Sequence, residues 1–429
     1  MRHSPATWNS SRIAIALRSR LNSGILARGA MSYLVAFAGV SVAAFIFHLV
    51  VSRLLGPTHY GAMGALLGII SLLSVPLGAV QIAVTQAVVG KELSGQTFSI
   101  VRITWRSFLA GCVAMAGLAG CAPFVDEFLH IGSRLPVFLV ALWIPLATVS
   151  AVLQGALIGE YRFRPVAFAS FVGTGLVRLV LGYVMVRAGF GVSGAVAATI
   201  FAQAFTMFSL SFSTRHELLG HRHDSVVQTK MRDTLLSVFA LGGYTALIGI
   251  DTFLAQHYFS ASHAGKYAAV AVAAHVAFFI PAALVTVAFP HLADGKGADE
   301  ASRQVFRQTL MLSVGLGIFV ALAMTSLASL TIRVLFGGQY AGAASILGQL
   351  SFASVAVGLL ILFVYLHLAR RSMLALTPWV GVLLAAVSIS FFHATSQSVA
   401  SVMLIVSLLT MAIAGTPALR WCISKPKIG

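Results

Sequence analysis

Long apolar stretches alternate with short polar connections along nearly the whole chain. A helix that crosses the hydrocarbon core of a bilayer needs about 20 apolar residues, because each residue adds about 1.5 Å along the axis. Stretches of that length predict twelve membrane-spanning helices. They cover residues 31–52, 61–88, 105–125, 135–157, 166–187, 191–212, 234–257, 264–289, 308–330, 343–368, 373–393 and 398–418.

A weak internal repeat divides this pattern into two halves. Arg53–Gly56 and Tyr60-Gly61 follow the first predicted helix, and His257–Ser260 and Ala264-Gly265 follow the seventh, 204 positions later. Because six helices return the chain to its starting side, the halves should be parallel repeats about an axis along the membrane normal. The predicted fold class is an all-α integral membrane protein with about twelve transmembrane helices in two parallel six-helix bundles.

The polar segments set the predicted domain boundaries. The first bundle occupies residues 31–212 and the second occupies residues 234–418, with a hydrophilic linker at 213–233. Residues 1–30 contain a basic amphipathic stretch that we expect on the cytoplasmic membrane surface, with a disordered tail as the alternative. Residues 419–429 form a C-terminal tail.

A short motif in the second predicted helix indicates close helix packing. Gly64 and Gly68 stand four residues apart and form a G-x-x-x-G motif. Small residues at this spacing let two helix backbones approach each other within a membrane. We therefore expect this face to pack against another helix of the same chain.

Composition makes a soluble protein untenable. Hydrophobic residues are 59% of the chain and charged residues only 9%, whereas a soluble domain carries about 25% charged residues. The formal net charge of +17 would indicate a nucleic-acid partner in a soluble protein. Here the basic residues lie singly in the connections, without interleaved aromatic residues, so no nucleic acid is expected.

The basic residues instead indicate the orientation in the membrane. With residue 1 in the cytoplasm, 22 of the 28 Lys and Arg residues fall on the cytoplasmic side and Arg178 alone falls in mid-helix. This asymmetry predicts a multi-pass protein with both termini in the cytoplasm. The five on the outer side are Arg53, Arg134, Arg187, Lys266 and Arg333.

Two charged residues lie well inside predicted spans, away from the helix ends. Arg178 is near the middle of the fifth helix and Asp251 is in the outer part of the seventh. A charge at the bilayer centre costs about 2.5–3.5 kcal/mol on insertion scales, so such residues usually face a cavity or a partner. Their depths differ by only about 5 Å at 1.5 Å per residue, so we expect them near each other. A purely structural ion pair remains open, as does contact of Asp251 with interfacial water.

Other polar residues within spans are weaker candidates for a binding site. His48, His275 and Tyr244 could contact a ligand, and Tyr244 lies seven residues before Asp251 on the same helix face. Hydrogen bonding between helices is the alternative for each. No cysteine or histidine spacing matches a metal or haem motif, so no metal or cofactor is expected.

Several short motifs resemble a known family when they are taken together in order. They resemble signatures of the bacterial polysaccharide-transport and O-antigen flippase proteins. The motifs are Arg53–Pro57 with Tyr60-Gly61, Leu153–Gly155 with Tyr161–Phe163, Asp251–Phe259, Ala264–Tyr267, and Phe289-Pro290.

This resemblance implies the multidrug/oligosaccharidyl-lipid/polysaccharide exporter superfamily, in which two six-helix bundles surround a central cavity. The implied activity is translocation of polyprenyl-pyrophosphate-linked oligosaccharide across the bacterial cytoplasmic membrane by alternating access. Arg178 would bind phosphate, Arg53 would add charge at the outer mouth, and Asp251 would hold a coupling cation or balance Arg178. The implied partners are the lipid-linked oligosaccharide, membrane lipid and other polysaccharide-assembly proteins.

Two other functions remain to be weighed. A cation-coupled exporter of drugs or small molecules would share the fold, so the fold alone cannot separate it from a flippase. A membrane glycosyltransferase or polysaccharide polymerase would need catalytic side chains in a sizeable loop. The predicted outer loops are short and carry no catalytic constellation, so we do not expect an enzyme.

Overall fold

The computed structural model describes residues 24–94, 100–215, 231–278 and 300–423, and these are helical almost throughout. Seven α-helices lie in the described part of the first half. They are α1 (Gly24–Ser94), α2 (Ile100–Gly120), α3 (Ala122–Leu129), α4 (Leu135–Gly159), α5 (Phe163–Ala169), α6 (Arg178–Met185) and α7 (Gly191–Ser213).

The described residues of the second half contain seven more α-helices and two short 3₁₀ segments, at Gly338–Ile346 and Met373–Leu376. The α-helices are α8 (Met231–Tyr258), α9 (Ala261–Ala274), α10 (Glu300–Ser326), α11 (Ala328–Leu335), α12 (Leu347–Ala369), α13 (Thr377–Phe391) and α14 (Ser396–Ile423).

The apolar helices account for the predicted membrane crossings. Within the described part of the chain, nine helical stretches are long and apolar enough to span a bilayer. Two of these stretches, of 58 and 51 residues, are long enough for two passes each. The predicted architecture of about twelve helices in two six-helix bundles is confirmed. The second part of the eighth predicted helix lies outside the described residues, as do residues 1–23, most of the linker and the end of the C-terminal tail.

The first connection is tighter than the sequence predicts. α1 carries both the first and the second crossing, and its helical geometry is broken only at Gly56, where φ is 68° and ψ is 171°. Glycine adopts this backbone conformation without the steric cost that a Cβ would impose. Pro57 follows at once, and its fixed φ suits the first turn of a helix. The predicted gap between residues 52 and 61 is therefore a single turn.

The fifth crossing departs from regular α-helix. Between α5 and α6 the residues Ser170–Val177 form π-helical turns, and Val186–Phe190 form a second π segment after α6. Arg178 is the first residue of α6, so it lies where the π-helical turns end. π-Helical turns are uncommon and frequently mark functional sites.

Connections predicted on the outer side meet one another, which supports the predicted alternation of sides. Arg53 donates hydrogen bonds to the carbonyl oxygens of Val334 and Leu335, the latter at 3.0 Å. The Tyr340 hydroxyl donates to the carbonyl oxygen of Ser52 at 2.7 Å. Each bond joins the first half of the chain to the second. We call this region of contact the outer seam.

A second part of the outer seam joins α3 to α8. The Gln256 amide donates to the Leu129 carbonyl oxygen at 2.8 Å. The His257 ring stacks on the Phe128 ring, with 3.9 Å between centroids and 5° between planes. His257 Nδ1 also lies 2.8 Å from the Phe128 carbonyl oxygen, which accepts its proton. The two halves are thus bound together, on the side predicted to be outer, by backbone and ring contacts.

Three glycines of α1 differ in how closely they approach α9. A Cβ placed on Gly61 would lie 2.9 Å from the Gly265 nitrogen, so α1 and α9 are in direct contact there. One turn further in, a Cβ on Gly64 would make ordinary contact with Ala268 at 3.5 Å. A further turn in, Gly68 has no described atom within 4 Å. Gly64 therefore contacts another helix as the G-x-x-x-G motif predicts, whereas the prediction is wrong at Gly68, which has open space where a Cβ would lie.

Candidate functional site

Arg178 packs against the first membrane crossing, which belongs to α1. A glycine on the same helix as Arg178 makes this close contact possible. The Arg178 guanidinium carbon sits 4.3 Å from the centroid of the Phe47 ring. The same ring packs against Gly182, one turn along α6, where any Cβ would collide with it. The absence of a side chain at Gly182 therefore lets Phe47 approach α6 closely and hold the guanidinium over its face.

The Arg178 guanidinium has no anionic partner among the described residues. No carboxylate lies within ion-pair distance, no acceptor forms a hydrogen bond to it, and its buried Nε is unsatisfied. A ring face stabilises a cation without using the in-plane donors that a guanidinium presents. The donors of Arg178 therefore stay free for an anion.

Two histidines extend this cluster toward the second half. His48 Nδ1 lies 3.0 Å from the Tyr60 hydroxyl, and the two rings meet edge to face. His48 is within electrostatic reach of both Arg178 and His275. Because His275 belongs to the second half, these side chains form a polar cluster between the bundles. We call Arg178, His48, Tyr60 and His275 the central cluster.

Asp251 lies in the second half, beside a small cavity that His275 of the central cluster also lines. Its Oδ2 accepts a hydrogen bond from the Tyr267 hydroxyl at 2.9 Å, and its Oδ1 accepts one from the Thr252 backbone N–H at 2.7 Å. Only 4% of Asp251 is exposed. These two hydrogen bonds fix the orientation of the carboxylate.

A small cavity adjoins the Asp251 carboxylate. Its volume is about 20 Å³, which admits a water molecule or a bare cation but no sugar. His275, Ser354 and Ser407 are the polar residues that line it together with Asp251, and the buried Ser407 hydroxyl has no hydrogen-bond partner among the described residues. A carboxylate and two hydroxyl oxygens are ligands suited to a hard cation.

Arg178 and Asp251 do not form the ion pair that the sequence allowed. Asp251 is bound by Tyr267 and Thr252 of its own half, and Arg178 stacks on Phe47 of the other half. No ion pair joins the two charged groups among the described residues. Similar depth in the membrane does not bring two side chains together, because their helices belong to different bundles.

Tyr244 lies near the Asp251 cavity and does not line it. It is 6% exposed, and its hydroxyl has no hydrogen-bond partner among the described residues. Its ring lies 6.1 Å from that of Phe278, which is itself part of the cavity wall. Tyr244 therefore packs behind the cavity wall and does not contact the carboxylate.

Arg53 is occupied in the outer seam. Its guanidinium bonds the last two carbonyl groups of α11, where the negative end of the helix dipole attracts a cation. In this arrangement Arg53 holds the two halves together and closes that side of the protein. Binding of a ligand by Arg53 at the outer mouth stays a prediction from the sequence.

Sequence reasoning missed Tyr60 and Tyr267 as members of these sites. Tyr60 is fully buried beside His48, and Tyr267 is fully buried beside Asp251. Both belong to short motifs that carried the family resemblance, Tyr60-Gly61 and Ala264–Tyr267. The signal was therefore present, because each half has a tyrosine within two residues of a glycine that packs between helices.

Solved structures of membrane transporters share this fold. An inward-facing multidrug resistance MATE family transporter of the MOP superfamily matches with a TM-score of 0.68 at 15% identity, over 89% of this chain and 94% of that one. An outward-facing MATE transporter matches with a TM-score of 0.54 at 13% identity, over 92% and 95%. Both matches extend over nearly the whole length of each chain, so the chain shares the fold of these proteins.

A lipid II flippase shares the fold as well. The inward closed conformation of MurJ matches with a TM-score of 0.63 at 12% identity, over 89% of this chain and 87% of that one. No curated protein matches the sequence. The model of one protein family, described as "Polysaccharide biosynthesis protein", matches residues 50–345. The match covers well over half of the sequence and agrees with the resemblance of its motifs, so the chain belongs to the polysaccharide biosynthesis protein family.

Proposed function

We propose that this protein is a flippase that translocates a polyprenyl-pyrophosphate-linked oligosaccharide across the bacterial cytoplasmic membrane for surface polysaccharide synthesis. The observation that carries this proposal is the unpaired Arg178 guanidinium within the membrane of a chain from the polysaccharide biosynthesis family. An unpaired charge in that position is costly to keep. Binding of an anionic substrate would offset this cost, because the substrate would pair with the guanidinium.

Pyrophosphate suits the chemistry of the central cluster. A guanidinium presents planar, paired donors that match phosphate oxygens and remain charged at any physiological pH. Phe47 holds the group without neutralising it. His48, Tyr60 and His275 supply further polar groups between the bundles, where the sugar and phosphate would pass. Tyr244 lies deeper in the second half and has a secondary role in shaping the cavity wall.

Asp251 serves a coupling cation in this proposal. The cavity beside it is too small for a saccharide, and its oxygen atoms suit a hard cation. Thr252, which donates to the carboxylate, also lies close to Gly64 in the first half. Binding of a cation at Asp251 can therefore change the packing of α8 against α1 and favour one conformation over another.

The transport cycle follows from the contacts between the halves. The outer seam joins the two halves, and its loss would expose the central cluster to the outside in this scheme. The polyprenyl tail would stay in the lipid, because moving a long apolar chain through a hydrated cavity is unfavourable. Neither the termini nor the linker needs to cross the membrane, and both remain in the cytoplasm in this scheme.

The competing function is a cation-coupled exporter of drugs or small molecules, which the cavity at Asp251 would also serve. We favour the flippase because a cationic central cluster suits an anionic headgroup better than the cationic compounds that many exporters carry. The chain acts as a transporter in this account and not as an enzyme. Its partners are the lipid-linked oligosaccharide, membrane lipid and other proteins of polysaccharide assembly.

Deletion of the gene tests the proposal in the cell. We expect lipid-linked oligosaccharide to accumulate on the cytoplasmic leaflet and a surface polysaccharide to be depleted. Complementation with the wild-type gene should restore both. Normal surface polysaccharide in the deletion strain, together with raised drug sensitivity, would replace the flippase with the exporter.

A further inference from the structure

A second pocket opens on the outer side of the second half, away from the central cluster. Its volume is about 670 Å³, which is in the range of small-molecule sites. Three connections build it: the turn between α8 and α9, the 3₁₀ segment Gly338–Ile346, and the turn between α13 and α14. We call it the outer pocket. Its lining includes Tyr258, Lys266, Ser345, His393, Thr395 and Gln397.

An aromatic platform forms one wall of the outer pocket. The Tyr258 ring stacks on the His393 ring with 4.1 Å between centroids and 15° between planes. His393 Nδ1 lies 3.0 Å from the Ser390 carbonyl oxygen, which accepts its proton and holds the ring in place. A flat, partly exposed ring pair of this kind offers an apolar face with polar edges. The C–H face of a sugar ring packs well on such a surface.

The charge in the outer pocket is positive and unbalanced. Lys266 is half-buried there, and no described residue forms an ion pair or a hydrogen bond with its side chain. No aspartate or glutamate lines the pocket. A partly buried ammonium group without a partner gains most from an anion that can accept its hydrogen bonds. Ser345, Thr395 and Gln397 add hydroxyl and amide groups of the kind that bind sugar hydroxyls.

The platform and the lysine are held by the outer seam. Tyr258 directly follows His257, which stacks on Phe128 of the other half. Lys266 directly follows Gly265, which packs against the Pro57 carbonyl group. Both pocket residues are therefore fixed by neighbours in tight contact, and a preorganised site loses less entropy when it binds a ligand.

We infer that the outer pocket binds an acidic saccharide, meaning a sugar unit that carries a carboxylate, next to the aromatic platform. One lysine charge matches one carboxylate, whereas a doubly charged phosphate would favour the paired donors of an arginine. This inference rests on the proposed function for the side of the membrane and for the source of the saccharide. The bound unit would belong to the oligosaccharide after it reaches the outer leaflet.

Direct binding tests this inference without transport. The full chain in phosphatidylcholine nanodiscs is titrated by calorimetry with a hexuronic-acid disaccharide and with its carboxyl-reduced neutral analogue. We expect the acid to bind at least about tenfold more tightly, because a hydrogen bond to a charged group contributes about 1.5–3 kcal/mol. Lys266→Gln should remove this preference, and Tyr258→Ala should weaken both ligands. Arg187→Gln, which removes an exposed charge from the outer side of the first half, should change neither.

Three results would overturn the inference. The first is equal binding of the acidic and the neutral disaccharide, and the second is an unchanged preference in Lys266→Gln. The third is loss of all saccharide binding in nanodiscs that contain phosphatidylglycerol, because that result would assign the pocket to an anionic lipid headgroup. Unfolding temperatures of the variants check that each is folded. Since none of these titrations measures translocation, their failure leaves the flippase proposal standing. If the chain binds the acidic saccharide specifically but translocates no lipid-linked oligosaccharide, this inference stands and the flippase proposal fails.

Discussion

Gly61 and Gly265 occupy equivalent positions in the two halves of the chain, and they touch each other at the outer seam. A Cβ on Gly61 would lie 2.9 Å from the Gly265 backbone nitrogen, and a Cβ on Gly265 would collide with the Pro57 carbonyl group. The pseudo-twofold axis therefore passes between two glycines. Only hydrogen at both positions lets the second crossing and α9 meet closely enough to seal the outer side.

Replacement of Gly61 by valine tests this contact, because the new side chain would overlap the backbone at Gly265. Overpacking costs about 1–3 kcal/mol, which corresponds to roughly a 5- to 150-fold change in a two-state population. The outer side should open, and a Ser52→Cys reporter in a cysteine-free background should react faster with an impermeant maleimide. Gly68→Val, in open space on the same helix, is the matched control. Equal labelling in the two variants would contradict this account of the seam.

The hydrogen bond from Tyr340 to the Ser52 carbonyl group is a smaller part of the same seal. Tyr340→Phe removes one bond worth about 0.5–1.5 kcal/mol, so outward opening should rise by roughly two- to tenfold. Arg53→Gln removes two bonds to α11 and should have the larger effect. The same labelling assay with the Ser52→Cys reporter measures both, since the bond from Tyr340 goes to the backbone and survives that change. A larger effect from Tyr340→Phe than from Arg53→Gln would show that Arg53 does not hold the seam.

Asp251 should control ion coupling and not substrate binding. Asp251→Asn removes the charge beside the small cavity, so translocation should lose its dependence on an imposed cation gradient. Tyr267→Phe keeps the carboxylate and should retain that dependence with a reduced response. Translocation is measured in proteoliposomes with sodium and proton gradients applied in turn. An Asp251→Asn protein that responds to either gradient like the wild type would exclude this site.

The separate surroundings of Arg178 and Asp251 make a further prediction. Two partners in a structural ion pair can be removed together with less damage than either alone, because no unpaired charge is left. Here each group has its own contacts, so Arg178→Ala combined with Asp251→Asn should be no more active than Arg178→Ala. The readout is translocation at matched protein levels. Recovery of activity in the double variant would restore the ion pair as the explanation.

The orientation of the chain can be tested by cysteine labelling in intact cells. Ser133 is exposed in a connection predicted to be outer, and Ser225 belongs to the predicted cytoplasmic linker. In a cysteine-free background Ser133→Cys should react with an impermeant reagent, and Ser225→Cys should react only after the membrane is opened. The reverse pattern would invert the topology and move the outer pocket to the cytoplasm.

The sequence predicts the helices well because bilayer thickness sets the length of an apolar stretch and the positive charges set its direction. It also reveals the repeat, since Tyr60-Gly61 and Ala264-Gly265 recur at one spacing. The contact between Gly61 and Gly265 could not be read from the chain. A repeated motif shows that two positions are equivalent, and only the fold shows that they meet.

The site was predicted less completely for a related reason. Counting residues from a helix end gives the depth of a side chain, but it gives neither the rotation of the helix nor its place in the bundle. Arg178 and Asp251 have similar depths and different neighbours, Phe47 for one and Tyr267 for the other. That both residues belong to functional sites is a prediction, and it rests on the free-energy cost of placing a charge in a membrane.

Translocation in a purified system tests the central claim most directly. The chain is reconstituted in liposomes with a fluorescent polyprenyl-pyrophosphate-linked oligosaccharide, and an added glycosidase reports how much of the saccharide reaches the opposite leaflet. The wild type and Arg187→Ala should translocate it, Arg178→Lys should retain part of the rate because charge survives without the planar fork, and Arg178→Ala should be inactive while still folded. A wild-type protein that moves no lipid-linked saccharide, or an Arg178→Ala protein as fast as the wild type, would contradict the account.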